Sequence, residues 1–256
     1  MARDPLPAPR RVLGHAVHPV DLEAAARWAL YLCHEAGPDG RSVIVTLNPE
    51  IVVRARADTA LATALAGASL TVADGVGVVW AAKRSGVDLP GRVPGVELVE
   101  RVLQQGGGSL RVFFLGGRPG VSERAAAAAA ARWGVVVAGS RHGYFERSSE
   151  GARVAREIAD SRPHLLLAGL GEGQELFLSD HRRALGAGAA IGVGGTLDVL
   201  AGEATRTPAW TRRLGLEWAW RVGLDPKRWH RVPRLAEFAL LTLRDDSRKR
   251  ERRDAR

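Results

Sequence analysis

The chain has 256 residues, 46% of them hydrophobic and 25% charged, which reads as globular and supplies one large α/β domain or a core domain with an appendage. A single cysteine, Cys33, excludes an intramolecular disulfide and is expected to be a small apolar core residue; no Cys/His spacing suggests zinc, and no apolar run reaches the roughly 18 residues of a membrane span. The net charge of +9 is uneven: residues 206–256 hold 13 Arg and 2 Lys against 7 Asp/Glu, so nearly all the excess sits in the last fifth.

In chain order, the opening "MARDPLPAPRRV" carries Pro and Arg where a secretory signal needs an apolar core, so the chain is expected in the cytosol. From about residue 41 to 200, short β-branched runs alternate with Ala/Leu/Arg-rich segments. "RSVIVTLN", "SLTVAD", "LRVFFLGG", "GVVVAGS", "PHLLLAGLG" and "GAAIGVGG" read as strands. Helices are predicted near 50–66, 76–86, 94–105, 121–133, 149–162, 174–185 and 196–201. The alanine run Ala125–Ala131 lies in one of them, as suits the best helix former. Strands that are apolar throughout and alternate with helices predict an α/β fold with a mostly parallel sheet covered on both faces.

Around "RTPAW" the pattern changes. Trp210, Trp218, Trp220 and Trp229 are interleaved with arginines, and a helix-like stretch, "RLAEFALLTLRDDSRKRERRDAR", follows. We place a boundary there, with 1–203 as the catalytic domain and 204–256 as a basic appendage. Three readings of the tail stand open: a solvated helical face, nucleic-acid binding, and attachment to an anionic membrane surface.

The predicted strands end in polar residues or glycines: Thr46 and Asn48, Asp74, Gly116 and Gly117, Gly169 and Gly171. In a parallel sheet these ends converge on one rim, where open α/β sheets bind ligands. Asp74, on the turn of "TVADGVG", suits a general base, a ribose-binding carboxylate, a metal ligand or a helix N-cap. Arg92 suits a phosphate or a solvated position. "LGGRPG" offers backbone N–H groups to a phosphate but lacks the full G-x-G-x-x-G spacing of NAD-binding turns. Gln174 opens a helix at a strand end with both a donor and an acceptor, Glu175 reads as a first-turn partner of the helix dipole, and His142 lies beside a turn.

Taken in order, "TLNPEIVVRA", "TVADGVGVVWAAK", "GRVPGVEL", "RHGYF", "GLGEGQE" and "GVGGTLDVLAGEATRTPAWTRRLGLEWAWRVGLDPKRWHR" resemble the WecG/TagA/CpsF family of bacterial glycosyltransferases over about residues 40–235. The resemblance implies a Rossmann-like core and an inverting, metal-independent transfer needing no cofactor. The donor would be a UDP-sugar, best N-acetylmannosamine, and the acceptor an undecaprenyl-diphosphate-linked N-acetylglucosamine in teichoic acid or other surface-polysaccharide synthesis. The enzyme would work peripherally on the inner face of the cell membrane; homo-oligomerisation is left open. By the same resemblance Asp74 is the catalytic base, Thr46 and Asn48 are the T-x-N pocket residues, Arg92 precedes the P/T-G turn, and Gln174 is the pocket glutamine.

The leaving UDP would be stabilised by glycine-turn N–H groups, near Gly116 and Gly171, and by appendage arginines, of which Arg206, Arg221, Arg228 and Arg231 are candidates. One departure bears on Gln174: the family pattern G-L-G-x-P-x-Q-E is here "GLGEGQE", one residue shorter and without the proline. Two other classes fit parts of the sequence. An NAD- or nucleotide-sugar-dependent α/β enzyme would use the same rim, and a nucleic-acid-binding module would use the tail; the ordered set of motifs ranks both below the transferase.

Overall fold

The N-terminal segment, which the periodicity left without elements, forms a hairpin of β1 (Arg10–Val12) and β2 (His15–Val17) followed by helix α1 (Leu22–His34). Asp21 caps α1 by accepting from the Ala24 N–H at 2.8 Å. The computed structural model describes residues 5–35, 41–204 and 232–254, with a few isolated positions between 208 and 229; in the last segment it describes side chains as far as 245.

From there strands and helices alternate as predicted. β3 (Ser42–Leu47) leads into α2 (Pro49–Ala57) and α3 (Thr59–Ala66), then β4 (Leu70–Ala73), α4 (Val76–Arg84) and α5 (Gly95–Gly106). β5 (Arg111–Gly116), α6 (Val121–Trp133), β6 (Val136–Arg141), α7 (Arg147–Asp160), β7 (Leu165–Gly169), α8 (Gln174–Asp180), β8 (Ala189–Gly192) and α9 (Thr196–Leu200) follow, and α10 (Val232–Asp254) closes the described chain. Two helix predictions are corrected. The segment 50–66 is two helices, because Asp58 takes an extended conformation and caps α3 through Leu61 N–H at 2.9 Å. The segment 174–185 is helical only to Asp180.

The six strands β3–β8 form one parallel sheet in the order β4-β3-β8-β7-β5-β6. Side chains alternate between two cores, as the period of two in a strand requires. Val43, Val45 and Leu47 face one core with Phe113, Leu115, Leu166 and Ala168; Ile44 faces the other with Val112, Phe114, Leu165 and Leu167. Helices α2, α3, α4, α7 and α8 cover the first face, and α1, α5, α6 and α9 the second. Helix α5 shows the logic: Leu98, Val99, Val102 and Leu103 recur at helical spacing and are fully buried, each contributing about 1.5–3 kcal/mol of apolar burial. In the alanine run, Ala125, Ala126 and Ala129 face the sheet. Cys33 is buried as expected, which pushes its thiol up to about 12.

The C-terminal helix packs on this core. Phe238 of α10 is 3% exposed, joins the first core and lies against α2 and α4. Gly77 permits the approach, since a β-carbon there would stand 2.7 Å from Pro49 Cγ and 3.4 Å from Phe238 Cε1. Asp245 accepts from the Ser85 hydroxyl at 3.1 Å further along.

Candidate active site

All six carboxyl ends of the sheet meet one rim, and Asp74 stands at its β4 end. The β3–β4 ladder pairs Leu47 with Ala73, and the Asp74 N–H donates to the Leu47 carbonyl at 2.8 Å. Gly75 then turns the chain with a φ of 88° and is itself the N-cap of α4, which has no side-chain cap. The N-cap reading of Asp74 is thereby set aside, and the half-buried carboxylate belongs to the rim.

Arg92 is brought to the same end from a loop. The next residue, Val93, donates its N–H to the Ala73 carbonyl at 2.7 Å, so Arg92 lies alongside the strand end that carries Asp74. Thr46 is 8% exposed and supports the start of α5: a β-carbon on Gly95 would meet Thr46 Oγ1 at 3.3 Å. Asn48 caps α2 by accepting from Ile51 N–H at 3.0 Å, a contact that uses its Oδ1 and not its amide NH₂.

Gln174 occupies the middle of the rim. Its backbone N–H bonds the Gly171 carbonyl at 3.2 Å, and its side chain crosses the end of β8, where Oε1 accepts from Gly194 N–H at 3.3 Å. β8 lies between β3 and β7, so this amide sits between the Thr46–Asn48 strand end and the Gly169–Gly171 turn. The shortened "GLGEGQE" loop therefore still delivers a glutamine to the rim. Arg147 holds that loop by donating to the Leu170 carbonyl at 2.5 Å and the Glu172 carbonyl at 2.6 Å. Glu175 stands in the first turn of α8 as predicted; it is also 6% exposed and accepts from Gln174 Nε2 at 2.9 Å.

Beyond Gln174 the rim opens into a cleft of about 480 Å³ over the ends of β5 and β7. Gly117 and Gly169 form its floor, and Arg118, Tyr144 and Asp198 bring polar groups to its walls. Gly116 sits at the end of β5, paired with Gly169 in the ladder. The nearby start of α6 favours negative charge: the Glu123 carboxyl is held below the usual range, first by its own backbone N–H and then by Ser122 and the Gly120 N–H. Arg118 also bonds Glu203 at 3.1 Å, and Arg124 pairs with the same carboxylate.

The site predictions from sequence thus divide. Asp74, Thr46, Asn48, Arg92, Gln174, Gly116 and Gly171 lie along one rim; Arg206, Arg221, Arg228 and Arg231 lie outside the described residues. His142 makes a local turn contact, accepting from Tyr144 N–H at 3.2 Å. Tyr144, 67% exposed, and Asp198 were not singled out by sequence reasoning, although "RHGYF" and "GVGGTLDVL" contain them. Among the described residues no group of three or more His, Cys, Asp or Glu is gathered as a metal site, and no helix is long and apolar enough to cross a membrane.

A parallel sheet with a carboxylate, a carboxamide and a glycine-floored cleft along its carboxyl rim defines an α/β enzyme of the ligand-at-the-strand-ends type. The chain belongs to the glycosyl transferase WecG/TagA/CpsF family, whose model matches residues 10–252. It is similar to the N-acetylglucosaminyldiphosphoundecaprenol N-acetyl-beta-D-mannosaminyltransferase of Bacillus subtilis (strain 168), with 30% identity over 82% of each chain. The protein of the same description from Staphylococcus aureus (strain MRSA252) is 34% identical over 83% of each chain.

Proposed function

We propose that this glycosyltransferase moves N-acetylmannosamine from a UDP-sugar to an undecaprenyl-diphosphate-linked N-acetylglucosamine, with inversion and without a metal ion. The acceptor and the sugar follow the names of its relatives. The observation that carries the mechanism is the placement of Asp74 at a strand end beside Thr46 and the Arg92 loop, with its helix capped by another residue. In this reading an acceptor hydroxyl oxygen attacks the anomeric carbon, its proton passes to the Asp74 carboxylate, and the bond to the UDP oxygen breaks on the opposite face. The cleft of Gly117, Arg118, Tyr144 and Asp198 takes the nucleotide diphosphate, where glycine N–H groups, Arg118 and the appendage arginines oppose the developing charge.

The lipid acceptor requires the enzyme to meet a membrane surface, and α10 is suited to that. Val232, Leu240 and Leu243 are 43%, 54% and 44% exposed and share the helix face opposite Phe238 and Thr242. The arginine excess after residue 206 complements anionic headgroups, at about 1 kcal/mol per basic residue near the surface. The deciding assay measures UDP release and product mass with a lipid-diphosphate-linked N-acetylglucosamine and a panel of UDP-sugars in chelator. Release with UDP-N-acetylmannosamine, dependent on the acceptor, is the expected result. A strict magnesium or manganese requirement overturns the metal-free mechanism, and silence with every donor overturns the transferase reading.

A further inference from the structure

Glu175 is a carboxylate in an expensive position. It is 6% exposed, and among the described residues its Oε2 has no hydrogen-bond partner. Burying a carboxylate is unfavourable unless the protein supplies donors to it. Among the described residues its other oxygen accepts one side-chain hydrogen bond, from Gln174 Nε2 at 2.9 Å. A residue kept for stability would have both oxygens satisfied or would be apolar; this one serves its neighbour.

What it does to that neighbour follows from donor and acceptor counting. An ionised carboxylate only accepts, and the Gly194 N–H only donates. Gln174 lies between them, Nε2 toward Glu175 at 2.9 Å and Oε1 toward Gly194 at 3.3 Å, so one of the two amide orientations satisfies both contacts. Gly192 keeps the position open, since a β-carbon there would stand 2.8 Å from Nε2 and 3.1 Å from Cδ. The amide is packed over β8 with its direction set, and these two contacts use one Nε2 hydrogen and one Oε1 lone pair, leaving the second of each uncommitted by them.

We propose that Glu175 is a positioning residue for the transfer reaction: it orients the Gln174 carboxamide so that a fixed donor and a fixed acceptor face the sugar-bearing substrates at the centre of the rim. The inference rests on the transferase reading above, and it adds a residue that never touches substrate. An apolar replacement removes one of the two contacts that set the direction of the Gln174 amide and leaves only the longer one from Gly194 N–H. An amide replacement restores an acceptor at nearly the same place.

The test compares wild type with Glu175→Leu, Glu175→Gln, Gln174→Leu and the Glu175→Leu/Gln174→Leu double variant. UDP release from UDP-N-acetylmannosamine is measured with a lipid-diphosphate-linked N-acetylglucosamine, alongside thermal melting. Glu175→Leu should lower kcat/KM on the order of tenfold, the scale of one or two lost hydrogen bonds. Its melting temperature should equal or exceed that of wild type, the double variant should be no worse than Gln174→Leu alone, and Glu175→Gln should recover most of the rate. Wild-type kinetics in Glu175→Leu, multiplied losses in the double variant, or a Glu175→Gln as impaired as the leucine variant each overturn the proposal. Should the leucine variant not fold, Glu175→Ala takes its place in the same comparisons, alone and with Gln174→Leu. No UDP release by the wild type overturns the transferase reading and this inference with it; release by the wild type separates the two.

Discussion

Arg234 of α10 holds the Glu172 carboxylate at 2.5 Å, tying the C-terminal helix to the loop that delivers Gln174. Both side chains are substantially exposed, so the pair contributes at most about 1 kcal/mol to stability. Its consequence is geometric, because Glu172 lies two residues before Gln174 and Arg147 grips the same loop from the other side. Arg234→Ala should leave the melting temperature nearly unchanged and lower kcat/KM for UDP release by roughly two- to fivefold, the kinetic equivalent of a bond of that size. Unchanged kinetics would show that α10 and the loop act independently.

Asp74→Asn should lower the transfer rate by about 10²- to 10⁴-fold, the usual contribution of a positioned base. The substitution keeps size and removes basicity, and the cleft proposed for the nucleotide lies at the other side of Gln174. UDP affinity measured by calorimetry should therefore stay within a few-fold of wild type. Turnover at the wild-type rate would take Asp74 out of the mechanism.

The outward face of α10 gives a test of membrane attachment. Replacing Leu240 and Leu243 by Asp removes two exposed apolar side chains and adds two negative charges beside the basic tail. Sedimentation with vesicles containing anionic phosphatidylglycerol should fall by about tenfold or more, as loss of apolar burial together with charge reversal implies. Phe238, on the inward face, still holds the helix to the core, so the protein should melt as before. Unaltered sedimentation would move the lipid contact to another part of the chain.

Stability should fall on mild acidification through His18. This residue seals the edge strand β4: Thr71 N–H donates to His18 Nδ1 at 3.1 Å, and the His18 backbone N–H donates to the Thr71 carbonyl at 2.8 Å. Burial holds the imidazole below its ordinary value of 6.5, with the Thr71 carbonyl opposing in part; His15 and His164 are lowered too, mainly by burial. The unfolded chain thus binds these protons more readily, and stability that is complete above about pH 6.5 declines as pH falls from there toward the folded values. Urea midpoints at pH 7.5 and 5.5 should differ in that direction, and His18→Asn should shrink the difference. An acid-insensitive wild type would contradict the seal.

The sequence by itself determined the alternation of strands and helices, both faces of the sheet, and the residues at the strand ends, because each depends on local periodicity and on turn chemistry within a few positions. It also carried the family, through short motifs in a fixed order. It left the N-terminal hairpin unread, since strands of three residues are too short to show a period, and α1 as well, although Asp21 and the spacing of Ala25, Ala26, Ala29 and Cys33 carried its signal. The strand order β4-β3-β8-β7-β5-β6 was decided only in three dimensions, and that order sets Asp74, Thr46, Gln174 and Gly116 along one edge. Tertiary structure likewise brought Tyr144 and Asp198, 54 positions apart in the chain, to one cleft, and buried Glu175, a first-turn residue as predicted, against Gln174. Such contacts join elements whose distance in sequence says nothing of their distance in space, so only the packed sheet could reveal them.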